Sequence, residues 1–207
     1  MNAVICSRNA HKARELERLL PGWTIAPLDR DDYPPETRET YYENAAIKAR
    51  FGRAHADGFV LAEDSGLEVD ALGGRPGVHS ARYAPEGAPA IAKLLGELEG
   101  VTGRNAHYTS ELVLLAPDSH ARNARGQTPG VARTELTEYR GTGTLTGRIA
   151  TQPSGAEGFG YDPVFIPDGE TLTVAELGND WKALNSHRAR AARALLRALA
   201  GAPATTS

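Results

Sequence analysis

Segments of strand character and segments of helix period take turns along this chain, and that alternation narrows the fold more than any other feature. Residues 3–6, Ala-Val-Ile-Cys, are a short apolar run that reads as a buried strand. Residues 9–20 follow at helical spacing, with Ala13, Leu16, Leu19 and Leu20 on one face. Ser7 or Asn9 can cap that helix, and Pro21-Gly22 stops it. A second helix is predicted over 40–57, with Thr40 and Glu43 as a capping box and Gly58 as the stop. Residues 59–63 read as a strand ending at an acidic cluster, 88–99 as a third helix and 106–116 as a long strand. Residues 131–150 alternate as two strands joined around Gly141-Thr142-Gly143, and 161–167 as another strand. A last helix covers roughly 186–200, with Ala189, Ala192, Leu195, Leu196 and Leu199 inward. Residues 28–39 and 119–130 read as loops, and the tail 201–207 as frayed. Hairpins inside an otherwise interleaved pattern predict an α/β fold with a mixed sheet, in a single domain spanning 1–207.

Composition enters where it excludes partners. A net charge of −3 argues against a general nucleic-acid binder, which is usually basic. An aromatic content of 6% is low for a single-strand binding groove that stacks bases. No run approaches the roughly 20 apolar residues a membrane helix needs, so no membrane partner is expected. The start Met-Asn-Ala-Val-Ile-Cys-Ser lacks the pattern of a secretory signal. The single cysteine, Cys6, allows no internal disulfide, reads as buried packing and suits a reducing, cytoplasmic setting.

The chemistry concentrates in a few stretches. Glu63, Asp64, Glu68 and Asp70 fall within positions 63–70, after an apolar run and before Gly73-Gly74. Glu63 and Asp64 are expected at a strand end and loop start, where functional groups are commonly displayed. Carboxylate oxygens of this kind suit Mg2+, with Glu36 of the preceding acidic loop as a candidate second ligand. A solvated acidic turn would read the same way. Ser7, Asn9, Lys12 and the start of the first helix offer a hydroxyl, an amide, N–H groups and a cation to a polyphosphate. A capped surface helix is the plainer alternative. Phe159, between Gly158 and Gly160, suits stacking on a planar base, or a place in the core. Lys182, His187 and Arg188 are expected at the start of the last helix, where cations oppose the macrodipole. Such a placement suggests an anion or an electron-rich carbonyl as partner. There is no phosphate-loop glycine signature, no H-E-x-x-H, no C-x-x-C and no nucleophile elbow.

Singly these signals are weak, but their order is specific. Ser-Arg-Asn-Ala-His-Lys at 7–12, Glu-Asn-Ala-Ala-Ile-Lys-Ala at 43–49, the stretch 62–84, Gly-Phe-Gly-Tyr-Asp-Pro at 158–163 and Ser-His-Arg at 186–188 follow one another. In this order the chain resembles the inosine triphosphate pyrophosphatase family, from residue 4 to about 200. The resemblance implies an elongated, two-lobed fold around a mixed sheet, a homodimer, and an active site in the cleft between lobes. It implies Mg2+-dependent hydrolysis of ITP, dITP and XTP to the monophosphate and pyrophosphate. Asp64 matches the proton acceptor, which also binds metal, and Glu36 matches a metal ligand. Ser7, Asn9 and Lys12 match a phosphate segment, in which Arg8, Ala10 and His11 contribute mainly through backbone. Ser65, Phe159, Gly160, Tyr161, Asp162, Lys182, His187 and Arg188 match nucleotide-contacting positions. Glu63 stands where an aspartate is common in bacterial members.

Two rivals stay close. One is a pyrophosphatase for modified pyrimidine nucleotides. The other is a non-catalytic nucleotide-binding protein on the same fold, which has no need of the Glu36 and Asp64 carboxylates.

Overall fold

The structure is a computed structural model, and it describes residues 1–7, 9–117 and 136–201. Arg8, the loop expected at 119–130, residues 131–135 of the expected strand pair and the tail from 202 lie outside the described residues.

Among the described residues one mixed sheet carries the fold. Its strands are β1 (Asn2–Ile5), β2 (Thr24–Pro27), β3 (Phe59–Val69), β4 (Asn105–Leu115), β5 (Glu138–Ile149) and β6 (Phe165–Pro167). They lie in the order β2-β1-β3-β4-β5-β6. β1 runs parallel to β2 and β3, while β3-β4, β4-β5 and β5-β6 are antiparallel. The expectation of a mixed sheet holds. The helices are α1 (Ala10–Leu19), α2 (Tyr41–Arg53), α3 (Ala88–Glu97), α4 (Val174–Asn185) and α5 (His187–Gly201).

β3, β4 and β5 are long enough to serve two cores. At one end Leu61, Leu112 and Leu114 pack under α1 and α5 with Leu16, Ala192 and Leu195. The other face of that end carries Val60, Ala62 and Val113 against Ala45, Ala46 and Ala49 of α2. At the far end Leu67, Val69, Tyr108 and Leu145 pack against Ala90, Ile91 and Leu94 of α3, and against Phe165. The middle of β3 lies between these cores.

Five expectations are corrected. β3 does not end at the acidic cluster: Glu63 to Val69 continue the ladder, each paired with a residue of β4 from Leu112 to Ala106. Pairing with a long neighbour overrides the weak strand propensity of Glu-Asp-Ser-Gly. Gly141 and Gly143 are not a turn but lie inside β5, opposite Leu112 and Ser110. They are glycines because α5 crosses there: a Cβ on Gly143 would overlap the His187 carbonyl, and one on Gly141 the Ala191 carbonyl. α2 stops at Arg53, before Gly58, because the Arg53 guanidinium gathers the carbonyls of Ala56, Gly58 and Leu115. Finally, Lys182 is not at the start of the last helix. It sits in the last turn of α4, a helix hidden from the periodicity by Gly178, whose φ of 84° kinks it. Ser186 separates the two helices and caps α5, its Oγ accepting from Ala189 N at 3.1 Å. The strand expected at 161–167 is a tight turn over Asp162–Val164 followed by β6.

Candidate active site

Side chains along a strand point alternately to its two faces. Glu63 therefore shares a face with Leu61, under α1 and α5, while Asp64 shares one with Ala62, under α2. The two acids are neighbours in sequence and meet different partners.

Glu63 is fully enclosed and ion-paired at both oxygens. Lys12 of α1 pairs with its Oε2 at 2.7 Å, and Arg188 of α5 pairs with its Oε1 at 3.1 Å. Ser110 Oγ donates to the same Oε1 at 3.0 Å. Burial alone would raise this carboxyl, but Arg188, Lys12 and Lys48 outweigh it and hold it well below the ordinary glutamate range. Arg188 is equally engaged. It donates to Glu15 at 2.6 Å and to Ser65 Oγ at 3.2 Å besides Glu63. Its guanidinium is thus anchored at each nitrogen, as a buried charge requires.

Asp64 is different. Its Oδ1 lies 3.6 Å from Lys48 Nζ, and its Oδ2 is buried without a hydrogen-bond partner among the described residues. Burial, together with the charges of Glu36 and Glu63, pushes the carboxyl up to about 6 against the pull of Lys48. Lys48 is held from α2 between Glu36 Oε1, the Glu63 carbonyl at 2.8 Å and Asp64. Those acids more than offset its burial and keep it charged. Glu36 comes from a segment with no strand or helix of its own, between β2 and α2. Asn44 fastens that segment through Arg38 N at 3.0 Å, and Arg82 reaches Glu36 Oε2 at 2.9 Å. Burial would raise Glu36, but Lys48, Lys12 and Arg82 hold it below its ordinary range.

Can Glu36 and Asp64 hold a divalent cation? Both touch the same ammonium, so both reach one small volume. One buried carboxylate oxygen there lacks a partner. The donors are hard oxygens, of the kind Mg2+ takes one or two at a time, the rest being water and phosphate. The residues fit such an ion, with Lys48 standing in for positive charge. Among the described residues no group of three or more acidic, histidine or cysteine side chains forms a protein-only metal cage.

Beside these acids a cavity of about 120 Å3 opens over the middle of β3. Asn9, Lys12, Ser65, Phe159, Gly160, Tyr161, Asp162, Lys182, His187 and Arg188 all line it. Most of the residues expected to meet nucleotide are therefore brought together. Asn9 caps α1, its Oδ1 accepting from His11 N at 2.9 Å and Lys12 N at 3.2 Å. Ser7 Oγ accepts from Asn9 N at 3.1 Å, so Ser7 shapes the turn while Asn9 is the cap. Ala10 is exposed at the first turn, and His11 lies on the outer side of Phe159, with ring centroids 5.4 Å apart. Phe159 also has Lys182 Nζ 4.6 Å from its ring.

His187 is buried at the first position of α5 and stacked on Tyr108 at 4.5 Å and 9°. Burial first, then Arg188, Lys182 and Lys12, drive its pKa well below the ordinary histidine value. It is a neutral imidazole, so no cation opposes the dipole of α5 at this position, and its Nδ1 has no hydrogen-bond partner among the described residues. Asp162 accepts from Lys182 Nζ at 2.7 Å and from Phe159 N at 2.9 Å, which ties the glycine-flanked loop to α4.

Sequence reasoning missed Lys48, Arg82, Glu15 and Tyr108. Lys48 carried a signal: it lies on the alanine face of α2, where a charge demands a buried partner. Glu15 and Arg82 carried none, since their partners are distant in the chain. Tyr108 is inward-facing by strand alternation, but its stack on His187 needs the tertiary fold.

Residues 3–198 match the Ham1 family. The chain is 41% identical over 196 residues to the dITP/XTP pyrophosphatase of Deinococcus deserti, covering 93% of this chain and 86% of the relative. It is 41% identical over 203 residues to the dITP/XTP pyrophosphatase of an Exiguobacterium species, covering 94% and 95%. Among solved structures, the Staphylococcus aureus Ham1 protein superposes with a TM-score of 0.76 at 33% identity, over 98% of this chain and 100% of that one. A HAM1 protein from Coxiella burnetii gives 0.77 at 32% identity, again over 98% and 100%. The match in sequence spans the strands, helices and loops that build this site, and the chain belongs to the Ham1 family.

Proposed function

We propose that this chain is a nucleoside triphosphate pyrophosphatase. It hydrolyses the non-standard purine nucleotides dITP, ITP and XTP to the monophosphate and pyrophosphate. The relatives' activity supports the substrate class. The observation that carries the chemistry is Asp64, which shares Lys48 with Glu36 through Oδ1 while its buried Oδ2 has no partner among the described residues.

Mg2+ held by Glu36 and Asp64 would neutralise charge on the triphosphate and on the departing pyrophosphate. This chain's own residues do the rest. Asp64 orients and deprotonates the attacking water, a task open to a carboxylate whose Oδ2 has no partner among the described residues. Lys48 keeps positive charge beside it when the carboxylates are ionised. Lys12 and the N-terminus of α1 meet phosphate oxygens, and Glu63 holds Lys12 in place for that contact.

Base selection follows from the donors in the cavity. A 6-keto oxygen accepts a hydrogen bond, whereas the 6-amino group of adenine donates one. Arg188 has its nitrogens engaged, so neutral His187 is the freer donor for the keto oxygen. Phe159 supplies the flat surface for the base.

The same reading includes a homodimer and a cytoplasmic setting, which the family resemblance and the free, buried Cys6 support. Among the described residues no helix is long and apolar enough to cross a membrane. Treating 1–207 as one domain rests on β3, β4 and β5 running through both cores. Product analysis of ITP turnover, with and without Mg2+, tests the function. Pyrophosphate should appear as the first product and only with the metal. Orthophosphate first would reject the bond assignment.

A further inference from the structure

Arg82 lies at the end of a short segment, Gly77–Arg82, that packs on β3 beside the acidic pair. That packing is tight because Gly66 has no side chain: a Cβ there would overlap the Gly77 carbonyl and crowd Ser80 Oγ and Tyr41. Ser80 Oγ completes the join, accepting from Leu67 N at 2.9 Å and donating to the Gly77 carbonyl at 2.6 Å. Gly66 is two residues beyond Asp64 and faces the same way. The segment that carries Arg82 is thereby placed relative to Asp64.

From that base Arg82 reaches across to the segment between β2 and α2. Its Nη1 donates to Glu36 Oε2 at 2.9 Å and its Nη2 to the Glu36 main-chain carbonyl at 2.7 Å. The two contacts fix both the side chain and the backbone of one residue. Among the described residues Glu36 has one other side-chain partner, Lys48 on Oε1, and Lys48 also answers to Asp64 and the Glu63 carbonyl. Removing Arg82 leaves the Glu36 carboxylate hanging from one shared ammonium.

We propose that Arg82 is a positioning residue that holds the Glu36 carboxylate opposite Asp64 and so sets the affinity of this site for a divalent cation. The inference rests on the reading of Glu36 and Asp64 as cation ligands. Arg82 does not touch the ion. Groups that orient a metal ligand typically change affinity by about 10–100-fold when lost. The guanidinium is suited to the task because its planar fork aims two donors in fixed directions at two acceptors, whereas a lysine at 82 would offer a flexible point charge.

The test is Mn2+ titration of the full-length, nucleotide-free protein, read by loss of the free Mn2+ paramagnetic resonance signal. Wild type, Arg82→Ala and Arg82→Lys are compared after circular dichroism confirms equal folding. Expected is an Arg82→Ala affinity lower by about 10-fold or more, with Arg82→Lys in between. The metal concentration for half-maximal dITP turnover should rise in step, while kcat at saturating metal changes only a few-fold. Arg82→Ala binding within twofold of wild type would overturn the proposal while leaving the metal reading intact. No Mn2+ binding by wild type, with or without nucleotide, would instead remove the metal reading beneath it.

Discussion

Glu63 and Asp64 are adjacent in β3 yet face opposite sides of the sheet, one clamped by Lys12 and Arg188, the other paired with Lys48 through Oδ1 and, among the described residues, bare at Oδ2. One acid holds the protein together, and the other is kept available. Their mutational behaviour should differ in sign.

Asp64→Asn is expected to lower pyrophosphate release from dITP by at least ~10^2–10^4-fold, the range for losing a general base. It should also stabilise the metal-free protein at neutral pH. The folded carboxyl titrates at about 6 against an ordinary 3.8, so the native state holds the proton more tightly than the unfolded chain. That stabilisation is complete below the ordinary value and is lost as pH rises through the folded one. The ionised carboxylate therefore costs about 1–3 kcal/mol at pH near 7.5. Thermal melts in EDTA should show a higher Tm for the variant there, with the gain fading as the pH is lowered to the ordinary aspartate range.

Glu63→Gln should do the reverse. It leaves Arg188 and Lys12 buried without their shared anion, a change that costs roughly 3–5 kcal/mol. Glu63 is held well below its ordinary 4.5, so its contribution is present above that value and is lost as pH falls through the folded pKa. Urea unfolding at neutral pH is the measurement, and the gap to wild type should close only in strong acid.

His187→Phe keeps the aromatic stack on Tyr108 and removes the ring N–H donor. kcat/KM for dITP should fall about 10–100-fold, the value of one buried hydrogen bond to substrate, with little change for dATP. Steady-state kinetics on the two nucleotides decides it. Equal losses on both would mean that His187 only packs.

Gly143→Ala introduces a methyl group against the His187 carbonyl, where α5 crosses β5. The helix must lift, at about 1–3 kcal/mol. Because His187 and Arg188 open that helix, KM for dITP should rise together with the drop in Tm. A melt shift with unchanged KM would show that the helix start is not what aligns the base.

Local patterns were enough for α1, though not to choose Asn9 over Ser7 as its cap, for the start of α2, for α3 and α5, and for the apolar runs of β1 and β4. Each is specified by residues within a turn or two of one another, and periodicity reports that directly. Motif order also named ten residues of the cavity wall, from Asn9 to Arg188, but not Tyr108. The misreadings share one cause. Glu-Asp-Ser-Gly looks like a loop until β4 lies beside it, and Gly141-Thr142-Gly143 looks like a turn until α5 lies on it. Gly178 hid α4 because a kinked helix has no steady period.

The amino-acid order alone determined which side chains could carry charge, cap a helix or bind an ion, because those are properties of the residues and their near neighbours. Only the tertiary structure decided that Glu63 is silenced, that Asp64 is exposed to chemistry, and that Lys48, Arg82 and Glu15 belong to the site. The physical reason is that ion pairing and desolvation depend on distance in space. In a strand, one step along the chain turns a side chain to the other face of the sheet.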